Sequence, residues 1–109
     1  MSVSTHILDT VRGEPAGGVV VRLERVGHGE LGRARTDADG RISDFGVVSL
    51  AAGTYRLIFE TAGYLTAAHP AGPPFFPEVV VTFTADDSRP HYHVPLLLSP
   101  YSYSTYRGS

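Results

Sequence analysis

The sequence predicts an all-β sandwich, and three observations carry that prediction. Apolar residues recur with a period of two over short runs rich in Val, Thr, Tyr and Phe, which is the pattern of half-buried strands. Gly and Pro separate these runs at short intervals, as turns between strands do. Only one short segment has a helical pattern. A sandwich is therefore the leading fold, and a small barrel is the alternative.

The predicted strands follow one another along the whole chain. In 54–60, Tyr55, Leu57 and Phe59 alternate with Arg56, and in 37–40 the DADG segment provides a turn in which a glycine tolerates positive φ. The segment 61–69 is the only predicted helix, and Pro70 ends it. The predicted strands are 5–9, 19–26, 33–36, 41–42, 54–60, 79–84, 91–98 and 101–107.

Length, charge and composition limit the possible functions. The chain has 109 residues, which suits a single domain spanning 1–109. Its nine basic residues are all arginine, are not clustered and are outnumbered by eleven acidic ones, so nucleic acid and anionic membranes are not expected as partners. The absence of cysteine excludes disulfides and thiolate metal sites. No secretory signal or long apolar stretch is apparent, which predicts a cytoplasmic protein.

Five histidines are the main candidates for chemistry, and they fall into two groups. We expect His28, in GHGELG, and His69, before Pro70, to be solvated loop residues. In HYHVPLLL, His91 and His93 share one strand face, and His6 occupies the face opposite Thr5, Ile7 and Asp9. Both strands carry apolar residues on both faces, which predicts that another subunit covers the outer one.

The residues alone leave three interpretations of this histidine face. The imidazoles could be ordinary hydrogen-bonded surface groups. They could bind zinc, with His91, His93 and His6 as ligands, although neighbouring arginines disfavour a dication and we predict no metal. Alternatively, a neutral histidine could take a proton from water while an arginine stabilises the oxyanion. Spacing and composition identify no substrate.

Four segments add a resemblance to a known family. They are STHILDTVRGEPA, TDADGRI, HYHVPLLLSP and the terminal YSYSTYRGS, and together they resemble the 5-hydroxyisourate hydrolases, a transthyretin-related family. The resemblance implies a transthyretin-like sandwich of two four-stranded sheets with one short helix. It also implies a homotetramer with active sites at the interface between two dimers, no cofactor, and a small-molecule substrate.

The reaction implied is the hydrolysis of 5-hydroxyisourate. Water attacks a ring amide carbonyl and opens the ring to 2-oxo-4-hydroxy-4-carboxy-5-ureidoimidazoline, a step of urate degradation.

The resemblance also implies which residues do this work. His6 and His93 would orient and deprotonate the water, and Arg41 would bind the ring and its negative charge. The implied catalytic residues are His6, Arg41, His93 and Ser109, and the implied substrate-binding residues are His6, Arg41, Tyr106, Arg107 and Gly108. His91 receives no firm role. Strand alternation would place Tyr106 and Gly108 on one face of the last strand, with Gly108 allowing close backbone approach.

Two non-enzymatic functions compete with hydrolysis. GEPAGGVVVRL, TDADGRI and AGTYRLIFETAGY also resemble carboxypeptidase-regulatory-like binding modules, but that pattern predicts the fold only. A hormone carrier like transthyretin is the other. The resemblance implies that such a carrier would have Lys at the position of His6, Thr at His93, and a tail without Arg-Gly-Ser.

Overall fold

The computed structural model describes residues 1–109 and contains two β-sheets and one short helix. The sheets are separate, so the barrel alternative is wrong. The elements in chain order are β1 (Ser2–Asp9), β2 (Glu14–Pro15), β3 (Val20–Arg25), β4 (Gly29–Arg35), β5 (Arg41–Ile42), β6 (Gly53–Phe59), α1 (Ala62–Ala68), β7 (Val79–Ala85), β8 (His91–His93), β9 (Leu96–Leu98) and β10 (Tyr103–Thr105).

One sheet is a four-stranded antiparallel sheet in the order β4-β3-β6-β7. Its inner face follows the predicted alternation, with Tyr55, Leu57 and Phe59 of β6 all buried. Ile58, on the opposite face of β6, is buried as well.

The other sheet is built around β1 and contains six short strands. On one side, β1 pairs in parallel first with β8 and then with β9. It also pairs antiparallel with β5 and with β2, while β10 pairs antiparallel with β9. The six strands thus occupy four positions across the sheet, which matches the predicted four-stranded layer.

A proline interrupts the predicted strand 91–98. Pro95 has no N–H to donate, and the ladder along β1 stops between β8 and β9 at this point. The antiparallel register with the last segment is nevertheless retained, since Thr105 pairs with Leu96 and Gly108 with His93. The last predicted strand is therefore shorter than expected and ends at Thr105.

A single cluster of 20 buried apolar residues fills the space between the sheets. Strand β1 contributes Val3 and Ile7 to it, and β9 contributes Leu96 and Leu98. Because alternate residues of β1 point inward, Ser4, His6 and Leu8 are left on the outer face of this sheet.

The helix α1 agrees with the predicted helical segment. Thr61 precedes it and donates its hydroxyl to the carbonyl of Phe76 at 2.5 Å, which ties the start of the helix to the proline-rich connection. No helix in the molecule has the length and apolar character required to cross a bilayer.

Candidate active site

Four positions on three paired strands, β1, β5 and β8, carry polar side chains onto the outer face of the six-stranded sheet. Register pairs His6 of β1 with Arg41 of β5, and Ser4 of β1 with His93 of β8. Paired residues in adjacent strands project to the same side of a sheet. Arg41, His6, Ser4 and His93 therefore follow one another across one face.

Three of them, Ser4, Arg41 and His93, border an open cleft of about 290 Å³. The cleft is small and mostly polar, which suits a compact polar ligand better than a large apolar one. His6 lies on the same face but is not among the lining residues. The lining residues are Ser4, Thr5, Arg41, Ile42, Ser43, His91, His93 and Ser109.

The TDADG turn sets the position of Arg41. Asp37 accepts hydrogen bonds through Oδ1 from the backbone N–H groups of Asp39 at 2.9 Å and Arg41 at 3.0 Å. Gly40 has φ +73°, and a Cβ there would lie 2.5 Å from the carbonyl oxygen of Ile7. Only glycine fits this turn, which confirms the sequence prediction and brings Arg41 beside His6.

A chain of hydrogen bonds connects the two histidines of β8. Ser4 Oγ lies 2.7 Å from His93 Nδ1 and 2.7 Å from His91 Nε2. The other ring nitrogen of His91, Nδ1, lies 2.5 Å from Ser2 Oγ. Ser4 was not among the predicted site residues, although its place two residues before His6 in a period-two strand put it on the same face.

His93 is held in its neutral form. Burial lowers its pKa below the ordinary value, and the positive charge of Arg41 lowers it further, with smaller contributions from His91 and His6. A neutral imidazole retains a free lone pair at neutral pH, so His93 can accept a proton. His93 also lines the cleft, so this proton acceptor faces the space that a ligand would occupy.

The main chain near the end of the sequence packs against His93. The N–H of Gly108 donates to the carbonyl of His93 at 2.8 Å. A Cβ at position 108 would lie 2.6 Å from Cδ2 of the His93 ring. The following residue, Ser109, reaches the cleft.

Tyr106 and Arg107 occupy a different place in the single chain. They line a neighbouring cleft of about 220 Å³ that also includes Phe83 and Thr105. The last strand ends at Thr105, and Tyr106 and Arg107 lie opposite Pro95 and Val94, where the strand pairing is interrupted. Tyr106 is 57% exposed, so little within its own chain covers it.

The expectation for His69 was wrong, whereas His28 is exposed as predicted. His69 Nε2 lies 2.7 Å from Oδ2 of Asp9, and the His69 side chain is only 16% exposed. The buried Asp9 carboxylate also accepts a hydrogen bond from the Tyr64 hydroxyl at 2.7 Å. Its other oxygen accepts from the N–H groups of Val11 and Arg12, each at 3.0 Å. This network fastens α1 to the end of β1, away from the cleft.

The acidic and histidine side chains do not assemble into a metal-binding group: no three His, Asp or Glu residues lie close enough together.

Sequence comparison gives the family. A sequence profile of the HIUase/Transthyretin family matches residues 3–108. The chain belongs to the HIUase/Transthyretin family. A 5-hydroxyisourate hydrolase of Deinococcus radiodurans is 46% identical over 114 residues, covering 98% of this chain and 95% of the relative. The predictions of family and of a hydrolase are thereby confirmed.

Solved structures similar to this chain include a 5-hydroxyisourate hydrolase and transthyretins. The Klebsiella pneumoniae 5-hydroxyisourate hydrolase has a TM-score of 0.87 and 41% identity, covering 100% of both chains. Sea bream transthyretin in complex with thyroxine has a TM-score of 0.86 and 34% identity, covering 97% of this chain and 93% of that one. These likenesses confirm the predicted transthyretin-like fold, but the nearly equal scores do not separate the two activities.

Proposed function

We propose that the chain hydrolyses 5-hydroxyisourate to 2-oxo-4-hydroxy-4-carboxy-5-ureidoimidazoline. The observation that carries the proposal is a neutral His93 next to the fixed positive charge of Arg41 in a small polar cleft. A base and a cation side by side are the two groups that attack of water on a carbonyl requires.

The chemistry follows from what each group can do. The free ring nitrogen of His93, Nε2, takes a proton from water as the water oxygen bonds to the ring carbonyl carbon. Negative charge then develops on the carbonyl oxygen, and Arg41 stabilises it because a guanidinium remains charged at any working pH. Collapse of this intermediate breaks the amide C–N bond, and the nitrogen takes back the proton from His93. The reaction consumes one water and needs no cofactor.

The other predicted site residues assist His93 and Arg41. His6, beside Arg41 in the register, orients the water and contacts the ring. Ser109 lines the same cleft and offers its hydroxyl to the substrate. Gly108 brings the chain close enough to His93 for that contact. We also assign substrate contacts to Tyr106 and Arg107.

A homotetramer explains how Tyr106 and Arg107 could serve a cleft that they do not line in one chain. The outer sheet face carries the half-buried Leu8 and Leu97 beside its polar groups, and such a face favours burial against a second copy. We propose that two dimers meet on this face and enclose the clefts between them. The cytoplasmic location stays a prediction.

Binding without catalysis is the alternative, since a transthyretin that binds thyroxine has the same fold. A binding site gains nothing from a histidine whose pKa is lowered beside an arginine, whereas a base does. The arrangement of His93 and Arg41 therefore favours hydrolysis over a carrier or a binding module.

The deciding experiment follows 5-hydroxyisourate by its ultraviolet absorbance. The substrate is generated fresh with urate oxidase, and its decay is measured with and without the protein because it also decays unaided. We expect acceleration that is proportional to protein concentration and is lost in His93→Ala. A rate equal to the spontaneous one, with a correctly folded protein, would refute the proposal.

A matched control is available in His28, which is exposed, contacts the carbonyl of Val26 and does not line the cleft. His28→Ala should retain the wild-type rate. Equal losses of hydrolytic rate in His28→Ala and His93→Ala would show that the acceleration does not come from the cleft.

A further inference from the structure

The hydrogen-bond chain on the outer sheet face includes two groups that the hydrolysis above does not use. They are His91 and Ser4, with Ser2 at the outer end. His91 is exposed to solvent, whereas His93 is half-buried beside Arg41. Two imidazoles of unequal solvation are thus connected through a single hydroxyl.

Valence limits how these hydrogen bonds can be directed. A serine hydroxyl has one proton and two lone pairs, so Ser4 Oγ can donate to only one of the two histidines, and it links them in a continuous chain when it accepts from the other. For His93 to act on water through Nε2, that nitrogen must carry the lone pair, and Nδ1 must carry the proton. His93 Nδ1–H then donates to Ser4, Ser4 donates to His91 Nε2, and His91 Nδ1–H donates to Ser2. Every partner is satisfied in this direction.

We propose that Ser4 is a positioning residue that holds His93 in this tautomer and relays its excess proton to His91. The proposal rests on the hydrolytic function above and deepens it. When His93 Nε2 takes a proton from water, its Nδ1 proton passes to Ser4 Oγ, and the Ser4 proton passes to His91 Nε2. His93 is left neutral with its proton on Nε2, and His91 becomes the imidazolium.

The physical reason for the relay is the charge of Arg41. An imidazolium at His93 would be both desolvated and close to a guanidinium, and these are the two effects that lower its pKa. Moving the charge to the exposed His91 places it in water, where it is well solvated. His6 also faces His93 and adds to the penalty when charged, so it works in the same direction as Arg41. The reverse shift returns the proton for the leaving nitrogen.

Nuclear magnetic resonance tests the positioning without any turnover. Two-bond ¹⁵N–¹H spectra of the imidazoles identify the tautomer of each histidine above its titration range. We expect protons on Nδ1 of both His91 and His93. In Ser4→Ala the His93 tautomers should become mixed. A wild-type His93 with its proton on Nε2 would overturn the proposal.

Kinetics test the relay itself. General acid–base groups contribute about 100- to 10,000-fold to rates, and we expect loss of the bridge alone to lower kcat about 10- to 100-fold with KM nearly unchanged. His91→Gln should cause a similar loss, and the double variant should be no slower than the slower single one. Additive losses, or full kcat in Ser4→Ala, would overturn the relay.

Two variants distinguish the effect of losing the Ser4 hydroxyl from the effect of a general disturbance of β1. Ser4→Thr keeps a hydroxyl at the bridge and should recover most of the kcat lost in Ser4→Ala. Ser102→Ala removes a hydroxyl that bonds only within its own turn and should leave kcat unchanged. If the wild type fails to accelerate hydroxyisourate decay, the proposed function fails, and the tautomers of His93 still decide the positioning role.

Discussion

Gly108 lies in direct contact with the ring of His93. Its N–H donates to the His93 carbonyl at 2.8 Å, and a Cβ at Gly108 would lie 2.6 Å from His93 Cδ2. A real Cβ does not approach a ring carbon so closely, so the two residues can keep this arrangement only while position 108 is glycine. The contact joins the last residues of the sequence to the proposed base.

Gly108→Ala should therefore reduce hydrolysis while leaving the fold intact. The added methyl group must displace either the His93 ring or the backbone of residues 107–109, and small errors in the position of a catalytic group are costly. We expect kcat for hydroxyisourate to fall at least about 10-fold. Circular dichroism should be unchanged, since Gly108 lies outside the buried apolar cluster.

Gly63→Ala is the matched control for that variant. Gly63 lies in α1, and nothing lies within 4 Å of a Cβ built on it. Alanine there should keep wild-type activity and raise helix stability by about 1 kcal/mol or less. Wild-type activity in Gly108→Ala would contradict the proposed link between the contact and catalysis.

The activity should persist into mildly acidic solution. His93 accepts a proton only when neutral, and burial together with Arg41 lowers its pKa below the ordinary 6.5. As pH falls, the midpoint of the decline in kcat should therefore lie below 6.5, at the lowered pKa of His93. The measurement is a pH profile of kcat, corrected for spontaneous decay at each pH.

Arg41→Gln should move that acidic decline to higher pH. The substitution removes the neighbouring positive charge but leaves His93 buried, so its pKa rises only part of the way to the ordinary value. The total rate falls as well, because Arg41 stabilises the oxyanion. An unchanged midpoint in this variant would show that Arg41 does not set the charge of His93.

Asp9→Asn should strongly destabilise the protein. The buried carboxylate accepts hydrogen bonds from two backbone N–H groups, the Tyr64 hydroxyl and His69 Nε2. The asparagine amide would turn an NH₂ group toward some of these donors, at a cost of about 3 kcal/mol. Urea denaturation measures the loss, with the exposed Asp87→Asn as control. A loss below about 0.5 kcal/mol would contradict the role of the network.

The stabilisation by Asp9 should depend on pH in a defined direction. Burial acts to raise the pKa of Asp9, but hydrogen bonds from Arg12, Tyr64 and His69 outweigh it, so the pKa lies below 3.8. The contribution of a carboxylate with a lowered pKa is complete above its unfolded pKa and is lost as pH falls through the folded one. The stability difference between wild type and Asp9→Asn should be constant near neutrality and shrink only below about pH 4.

Deleting residues 106–109 should abolish hydrolysis and leave the sandwich folded. The deletion removes Ser109 from the cleft and the Gly108 contact from His93, but none of the four residues belongs to the buried apolar cluster. Circular dichroism and urea denaturation report the fold, and hydroxyisourate decay reports the activity. A fully active truncated protein would exclude these residues from the site.

Local sequence pattern was sufficient for most of the architecture. Period-two alternation identified the buried face of β6 and the outward direction of His6, since side-chain direction in a strand depends only on position along it. The glycine of the TDADG turn was equally predictable, because the turn needs positive φ. The resemblance supplied the candidate residues, and the fold places His6, Arg41 and His93 on one face.

Contacts between distant segments were decided only by the tertiary structure. Ser4 and His93 are 89 positions apart and meet because β1 and β8 pair in parallel, a choice that alternation within either strand does not specify. The same holds for His69. Its place before Pro70 predicts a solvated loop residue, but the fold brings its ring, at the end of α1, to Asp9. Pro95 likewise interrupts the pairing that would have continued the last strand through Tyr106. The sequence by itself determined which way each side chain points, whereas strand pairing decided which side chains meet.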